Sequence, residues 1–448
     1  MKIKQKHLVC ICLVFGLKLC GQSTEIVTNK DDNFNTAKDT LYDSASYNYR
    51  GYGYYQKGEL GKAIDDYSES IRLNPNEPIT YIYRGDAYSR KNDWEKAIDD
   101  YSKAIQLSPN NPIPLGNRGY AYYFNKEYDK AINDFNEAIR LDPKQAANYD
   151  YRGMAYFRKV NYDDAIHDFS QAININPRDT KAYEWSGNAY LGKGDLDQAI
   201  SAYSQAIKLN PQDGVALSGR GYVYYKTNKF DSAMDDLDQA IQLLPNDVIA
   251  LNTRGCIYLN KKDYEKAITD FSKVILLDPK NVSAIENRAL SYFEKGDFEN
   301  AINDHSAILR QYPSLAPAYF HRAADYYKCE KYDEAIKDYK KAIQLDPNYA
   351  DTYNDLAWLL ATCSIATNRN GAEAVKLANS ACTLTDWKKW YYVGTLAAAF
   401  AETGDFDNAI KYQQDAIKLK PESAGDSLDE KQRLELYKKH QPYHESKN

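Results

Sequence analysis

The sequence predicts an all-α solenoid built from antiparallel helix hairpins, and three periodicities predict it. Proline recurs at 75, 109, 143, 177, 211, 245, 279, 313 and 347, every interval being 34 residues. With the residue 31 before each proline taken as position 1, position 8 is Gly51, Gly85, Gly119, Gly153, Gly187, Gly221, Gly255, Ala289 and Ala323. Position 11 is Tyr in every unit, from Tyr54 to Tyr326, and position 20 is Ala, from Ala63 to Ala335. A fixed period of this length marks a stack of small units, each burying its apolar face against its neighbours.

Residues 1–21 stand apart from the repeats. Lys2, Lys4 and Lys6 precede the ten-residue apolar run Leu8 to Leu17, which is too short to span a bilayer as a stable helix. This pattern reads as an export signal cleaved after Gly21. Lipidation at Cys20 is one alternative, although Leu19 is larger than the small residue that precedes a lipidated Cys; an uncleaved anchor is the other. Export places the body in the periplasm or outside the cell, possible envelope attachment being confined to the N-terminus. The polar stretch 22–43 reads as a linker. With four of the 57 basic residues and none of the 63 acidic ones in the leader, the remainder carries a net charge near −10. Such a surface argues against nucleic acid or anionic lipid as the main partner.

Nine units occupy residues 44–349. Positions 4, 7, 8 and 11 share one face of a first helix, and positions 20, 24 and 27 share one face of a second. Turn signals lie between them, as in Lys57-Gly58-Glu59, Lys193-Gly194-Asp195 and Lys295-Gly296-Asp297. Asp93, Asp195, Asp263 and Asp297 stand where an N-cap belongs, and the terminal proline stops the second helix. Small residues at 8 and 20 let the helices approach, with the Tyr at 11 expected to fill the space beside them.

The pattern then varies. A tenth unit, 350–389, opens with Leu356, Ala357 and Leu360, and continues with Ala374, Ala378 and Ala381 after an enlarged loop around Ser364 to Asn370. A final unit, 390–423, carries Trp390, Ala397, Phe400, Ala409, Ala416 and Pro421. Residues 424–448 are read as a charged capping helix, with Leu434 and Tyr437 facing the last unit, and a tail.

The series Tyr81, Gly85, Tyr88, Ala97, Tyr101, Ala104 and Pro109 resembles the tetratricopeptide repeat, and the resemblance runs from about residue 44 to residue 440. The closing pair of units is similar to that of many exported bacterial proteins of this class. The resemblance implies a right-handed superhelix whose first helices line a concave groove, and a role in binding a peptide or protein. Positions 2, 5, 9 and 12 would face that groove. The candidate partner-binding residues are therefore Asn48, Tyr52, Tyr55, Tyr120, Tyr123, Phe157, Asn188, Tyr222, Tyr225 and Asn252. Asp150, Met154, Glu184 and Ser218 fall on the same face. Tyr supplies contact area at low entropic cost, and Asn pairs with extended backbone; the same Tyr rings would alternatively pack between repeats. The family's clamp for the carboxylate tail of chaperones needs Lys at 5 and Asn at 9, a pair present in no repeat.

Position 7 is Arg in eight units (50, 84, 118, 152, 220, 254, 288, 322), and position 23 is Asp in the same eight. The fifth unit loses both together, to Ser186 and Ala202. Coincident loss predicts an Arg–Asp pair between the two helices of one hairpin.

Beyond the leader lie Cys256, Cys329, Cys363 and Cys382, whose spacing predicts four free thiols. The six His residues are scattered, and no metal signature or phosphate loop is present. His305 reads as a packed substitute for the aromatic at position 24. Neither metal nor cofactor is expected, and the function class is a non-enzymatic scaffold. A self-associating structural protein and an accessory module to a separate enzyme are the alternatives.

Overall fold

The computed structural model describes residues 43–421 and 428–446. The predicted leader and most of the linker lie outside the described residues. Helices make up all the regular secondary structure among those that are described, and no helix there is long and apolar enough to cross a membrane.

The described chain divides into two compact units between Thr253 and Arg254. The first contains the hairpins Ser44–Gln56 with Leu60–Leu73 (α1, α2), Pro78–Arg90 with Trp94–Leu107 (α3, α4), Pro112–Phe124 with Tyr128–Leu141 (α5, α6) and Ala146–Arg158 with Tyr162–Ile175 (α7, α8). Two more follow, Thr180–Lys193 with Leu196–Leu209 (α9, α10) and Gly214–Lys226 with Phe230–Leu243 (α11, α12). Helix α13, Val248–Asn260, contains the division. The second unit continues with Tyr264–Leu277 (α14), Val282–Lys295 (α15), Phe298–Gln311 (α16), Ala316–Lys328 (α17) and Tyr332–Leu345 (α18). It ends with Ala350–Thr362 (α19), Gly371–Leu384 (α20), Trp390–Glu402 (α21), Phe406–Leu419 (α22) and Leu428–Lys438 (α23). A short 3-10 turn, Ala366–Asn368, occupies the loop before α20.

Local chemistry accounts for the helix ends. Asp93, Asp195, Asp263 and Asp297 each accept a hydrogen bond from the backbone N–H three residues on, satisfying a donor that the first helical turn leaves open. The turn before each second helix needs a left-handed residue. Gly58 and Gly194 supply it at φ 78° and 88°, whereas Val160 is held there at 61°, a strained conformation for a β-branched side chain.

Within each hairpin the close approach is set by position 8 against position 24. A Cβ on Gly85 would stand 2.7 Å from Tyr101 Cε1, and one on Gly187 would stand 2.7 Å from Tyr203 Cε1. Tyr67, Tyr101, Phe135, Phe169, Tyr203 and Phe271 are fully buried in this way. The ring at position 24, rather than the Tyr at 11, fills the space over the glycine. Tyr54, Tyr88 and Tyr122 sit half-buried at the edge instead, each 5.3 Å beneath the ammonium of Lys62, Lys96 or Lys130. A ring with a polar tip tolerates that rim, because its hydroxyl stays wet.

All eight Arg–Asp pairs form, and each is bidentate. In the fourth hairpin Arg152 Nε reaches Asp168 Oδ2 at 2.7 Å, and Nη2 reaches Oδ1 at 2.6 Å. The Asp is almost fully buried, with the Arg side chain 15% exposed. The remaining guanidinium nitrogen then crosses to the preceding hairpin. Arg84, Arg118, Arg220, Arg288 and Arg322 donate to Ser68, Ser102, Ser204, Ser272 and Ser306 at 3.0–3.1 Å, and Arg152 donates to Asn136. One side chain thus closes its own hairpin and fastens it to the previous one. Burial pushes the carboxyl groups of Asp100 and Asp168 up, while their Arg partners offset part of that shift. Neither charge is tolerable here without the other.

Cys329, Cys363 and Cys382 are free thiols. Cys256 is not: it is disulfide-bonded, which departs from the expectation of four free thiols. At the C-terminal end Tyr437 of α23 is fully buried against Ala397, Ala401 and Ala409, with Leu434 half-buried beside it. A buried Lys420–Glu430 ion pair at 2.9 Å fixes the start of that helix.

Replacing Asp168 by Ala strands a buried guanidinium, which costs about 3–5 kcal/mol. Denaturant unfolding is expected to show that loss, and the double variant Arg152→Met, Asp168→Leu is expected to recover most of it. Unchanged unfolding of Asp168→Ala contradicts the role given to the pair.

Candidate functional site

The first helices carry the residues that sequence places on a binding face, but the structure uses many of them for packing. Tyr123, Tyr222 and Asn252 are buried, at 4%, 7% and 7% exposure. They are therefore not available as contact surface. Tyr120 stacks 4.6 Å from Phe124 and edge-on to Tyr151 of the next hairpin at 4.8 Å. Phe157 lies edge-on to Trp185 at 5.4 Å. Tyr225 packs 6.1 Å from Phe230. Asn188 accepts from the Tyr203 hydroxyl at 2.7 Å, and Asn48 donates to Thr80 Oγ1 at 2.6 Å. Tyr55 lies beneath the Arg90 guanidinium at 4.8 Å. Of the ten, Tyr52 is the one that stays exposed, at 40%. Asn48, Tyr55, Tyr120 and Phe157 meet groups of the next repeat, because adjacent hairpins bring their first helices side by side, whereas Asn188 and Tyr225 meet the second helix of their own hairpin.

Position 5 of three successive units carries Asp150, Glu184 and Ser218, which the sequence places on the groove face without showing their burial. Asp150 is half-buried, and its Oδ1 has no hydrogen-bond partner. Burial, with repulsion from Asp179 and Asp168, pushes its carboxyl up to about 8. Glu184 is buried and is likewise pushed up to about 8, by burial and by a hydrogen bond shared with Asp213, although Lys181 lies 2.8 Å away. Ser218 Oγ is also buried without a partner. Asp150 on α7, Glu184 on α9 and Ser218 on α11 thus stand at position 5 of successive units and can hydrogen-bond a peptide backbone. The signal was present as Asp150 and Glu184 on an otherwise aromatic face.

In the second unit an extended segment of the chain already lies on the equivalent positions. The Glu445 N–H donates to Thr362 O at 2.8 Å. One Glu445 carboxylate oxygen accepts from Trp358 Nε1 at 2.8 Å, and the other accepts from the Tyr327 hydroxyl. Trp358 stands at position 9 of its unit and Tyr327 at position 12. Tyr443 lies 6.0 Å from Trp358, and His444 Nε2 lies 2.6 Å from Glu402.

Four further groups converge in the second unit, from position 5 of α15, position 24 of α16 and positions 6 and 10 of α17. His305 is buried, with Nδ1 2.5 Å from Asp325 Oδ2 and Nε2 3.6 Å from Glu286 Oε2. His321 Nδ1 meets the other Glu286 oxygen. Burial opposes charge on His305, but the carboxylates of Asp325 and Glu286 outweigh it and push the imidazole up to about 10. The sequence pattern hides this group, because 19 and 16 residues separate its members and no short motif links them.

Profiles described as TPR repeat match residues 51–91, 85–126 and 187–228. Profiles described as tetratricopeptide repeat match 113–145, 248–281 and 316–349, and also 338–373, 214–247 and 393–423. Together they cover more than half of the chain. The chain belongs to the tetratricopeptide repeat family. Curated proteins give no match. Among solved structures, a TPR protein from Parabacteroides merdae is 24% identical over 55% of this chain and 98% of its own, with a TM-score of 0.46. YrrB, a TPR protein, is 24% identical over 42% and 97%, with a TM-score of 0.37. Yeast Tom70 is 19% identical over 88% and 95%, with a TM-score of 0.37. Two of the nine regular TPR units, 146–179 and 282–315, fall between the matched segments, and they hold Asp150 and the Glu286–His305 pair.

The Asp150 carboxyl binds a proton more tightly in the folded TPR array than in the unfolded chain. Its contribution is therefore full below pH about 4, the unfolded carboxylate range, and is lost as pH rises through about 8. Melting curves between pH 5 and 9 are expected to show stability falling by at least about 1 kcal/mol, with a smaller fall in Asp150→Asn. An equal fall in both proteins contradicts the assignment.

Proposed function

We propose that this TPR protein is an exported, non-enzymatic scaffold that holds extended peptide segments of a protein partner across the first helices of its hairpins. The observation that carries the reading is the chain's own tail. Residues 443–445 lie along α17 and α19 by one backbone hydrogen bond, a carboxylate held by two aromatic donors, and a ring contact. These are the elements by which a groove captures an extended peptide: backbone pairing for affinity, and side-chain contacts for specificity. TPR arrays bind peptide or protein partners, and such a contact is one the family's architecture permits.

The binding face is narrower than a continuous row of Tyr. In the first unit, exposed Tyr52 and the unpartnered oxygens of Asn48, Asp150 and Ser218 have contact capacity to offer. In the second unit the site is Trp358 with Tyr327. Export rests on the basic and apolar pattern of residues 1–21, and envelope placement follows from it.

A labelled peptide with the sequence of residues 440–446 tests the groove directly. Fluorescence anisotropy against a chain ending at Lys439 is expected to give a Kd on the order of 10–100 μM, weakened at least about tenfold by Trp358→Ala. A chain that binds no peptide in trans, or binds it equally well without Trp358, contradicts the reading.

A further inference from the structure

We propose that Glu286, His305 and His321 form a binding site for one first-row divalent transition cation, zinc foremost, that clips α15, α16 and α17 together. One oxygen and two imidazole nitrogens, from three helices, lie within 4.8 Å of one another. A tetrahedral zinc ion with ligands at about 2.1 Å spaces those ligands about 3.4 Å apart. The His305 Nε2 to Glu286 Oε2 separation is 3.6 Å, near that spacing, whereas His321 Nδ1 touches Glu286 Oε1 directly and must draw back for an ion to enter. Two imidazoles with one carboxylate suit zinc and its neighbours rather than magnesium or calcium, which prefer all-oxygen shells.

The surrounding groups support the same assignment. Asp325, buried at 1% exposure, holds His305 Nδ1 at 2.5 Å. A carboxylate on one ring nitrogen fixes the tautomer and aims the other nitrogen at the ion, the arrangement that orients zinc-bound histidines. Position 24 is otherwise Tyr, Phe or Leu in the nine regular units, and position 10 is otherwise Gly, Ala, Val, Ile or Ser. His305 and Asp325 therefore break the repeat together, and Glu286 and His321 complete the set. A histidine needed only for packing would require Asp325 at most. The Glu286 and His321 side chains remain 31% and 40% exposed, so an ion enters from solvent. A fourth position stays open there for water or a partner's side chain.

Calorimetric titration of zinc chloride into the chelator-treated full-length chain tests the site. The expected result is one ion per chain with a Kd of about 1 μM or tighter. His321→Ala and Glu286→Gln, at partly exposed positions, are expected to weaken it at least about 100-fold, and Asp325→Asn about 10–100-fold. The double variant His305→Tyr, Asp325→Ala restores the ring and small residue used in other units, as at Tyr101 and Ala121, and is expected to keep the melting transition while abolishing binding. Cobalt absorption provides a second readout of the coordination geometry. Absence of saturable binding, or an affinity unchanged by His321→Ala and by the double variant, overturns the proposal.

Discussion

A single guanidinium, placed once in each of eight hairpins, is the interaction on which this array depends. Each hairpin is too thin to bury a charge completely, yet Asp168 is 1% exposed and Asp100 is 5% exposed. Such carboxylates persist because an Arg meets both oxygens in a planar fork, the geometry Lys cannot reproduce. The same fork has donors left over, and these reach Ser68, Ser102 or Ser204 on the hairpin before. Ser68 and Ser102 in turn donate to the carbonyls of Ile64 and Ile98. Each repeat is thereby tied to itself, to its predecessor and to its predecessor's backbone by one side chain. Nearest-neighbour coupling of this kind is what makes a stack of marginal units behave as one protein.

The periodic part of this organisation could be read in advance. Proline spacing sets the hairpins, and the joint loss at Ser186 and Ala202 points to the Arg–Asp pair. What stayed hidden were contacts between side chains one repeat apart. The Ser at position 25 looks like an ordinary polar helix residue until the neighbouring Arg is placed beside it. Tyr123 reads as a groove residue because a helix wheel sees one hairpin, whereas Tyr151 and Arg158 of the next one pack against it. The pairing of Glu445 with Tyr327 spans 118 residues, and no local rule connects them.

The departures from the repeat concentrate the chemistry. Where a unit keeps its aromatic ring at position 24 and its small residue at position 10, its first and second helices are simply packed. Where the unit around 282–315 exchanges that ring for His305, the next helix answers with Asp325 and His321. Where position 5 becomes Asp150 or Glu184, a carboxyl is held against water and keeps its proton toward neutrality. A regular scaffold tolerates such groups because each hairpin needs only its neighbours, so one unit can be specialised without disturbing units farther away.

The fifth unit offers the most direct test of the account, because it lacks both members of the stitch while Ser170 of the preceding hairpin remains in place. Hydrogen exchange across the native chain should show α9 and α10 opening more readily than α7 and α8. Installing the missing pair, Ser186→Arg with Ala202→Asp, should slow exchange in α9 and α10 by about tenfold or more, the equivalent of one net charge-assisted hydrogen bond. Equal protection of the two hairpins in the native chain, with no gain from the installed pair, would contradict the claim that the Arg–Asp–Ser contact holds the repeats together.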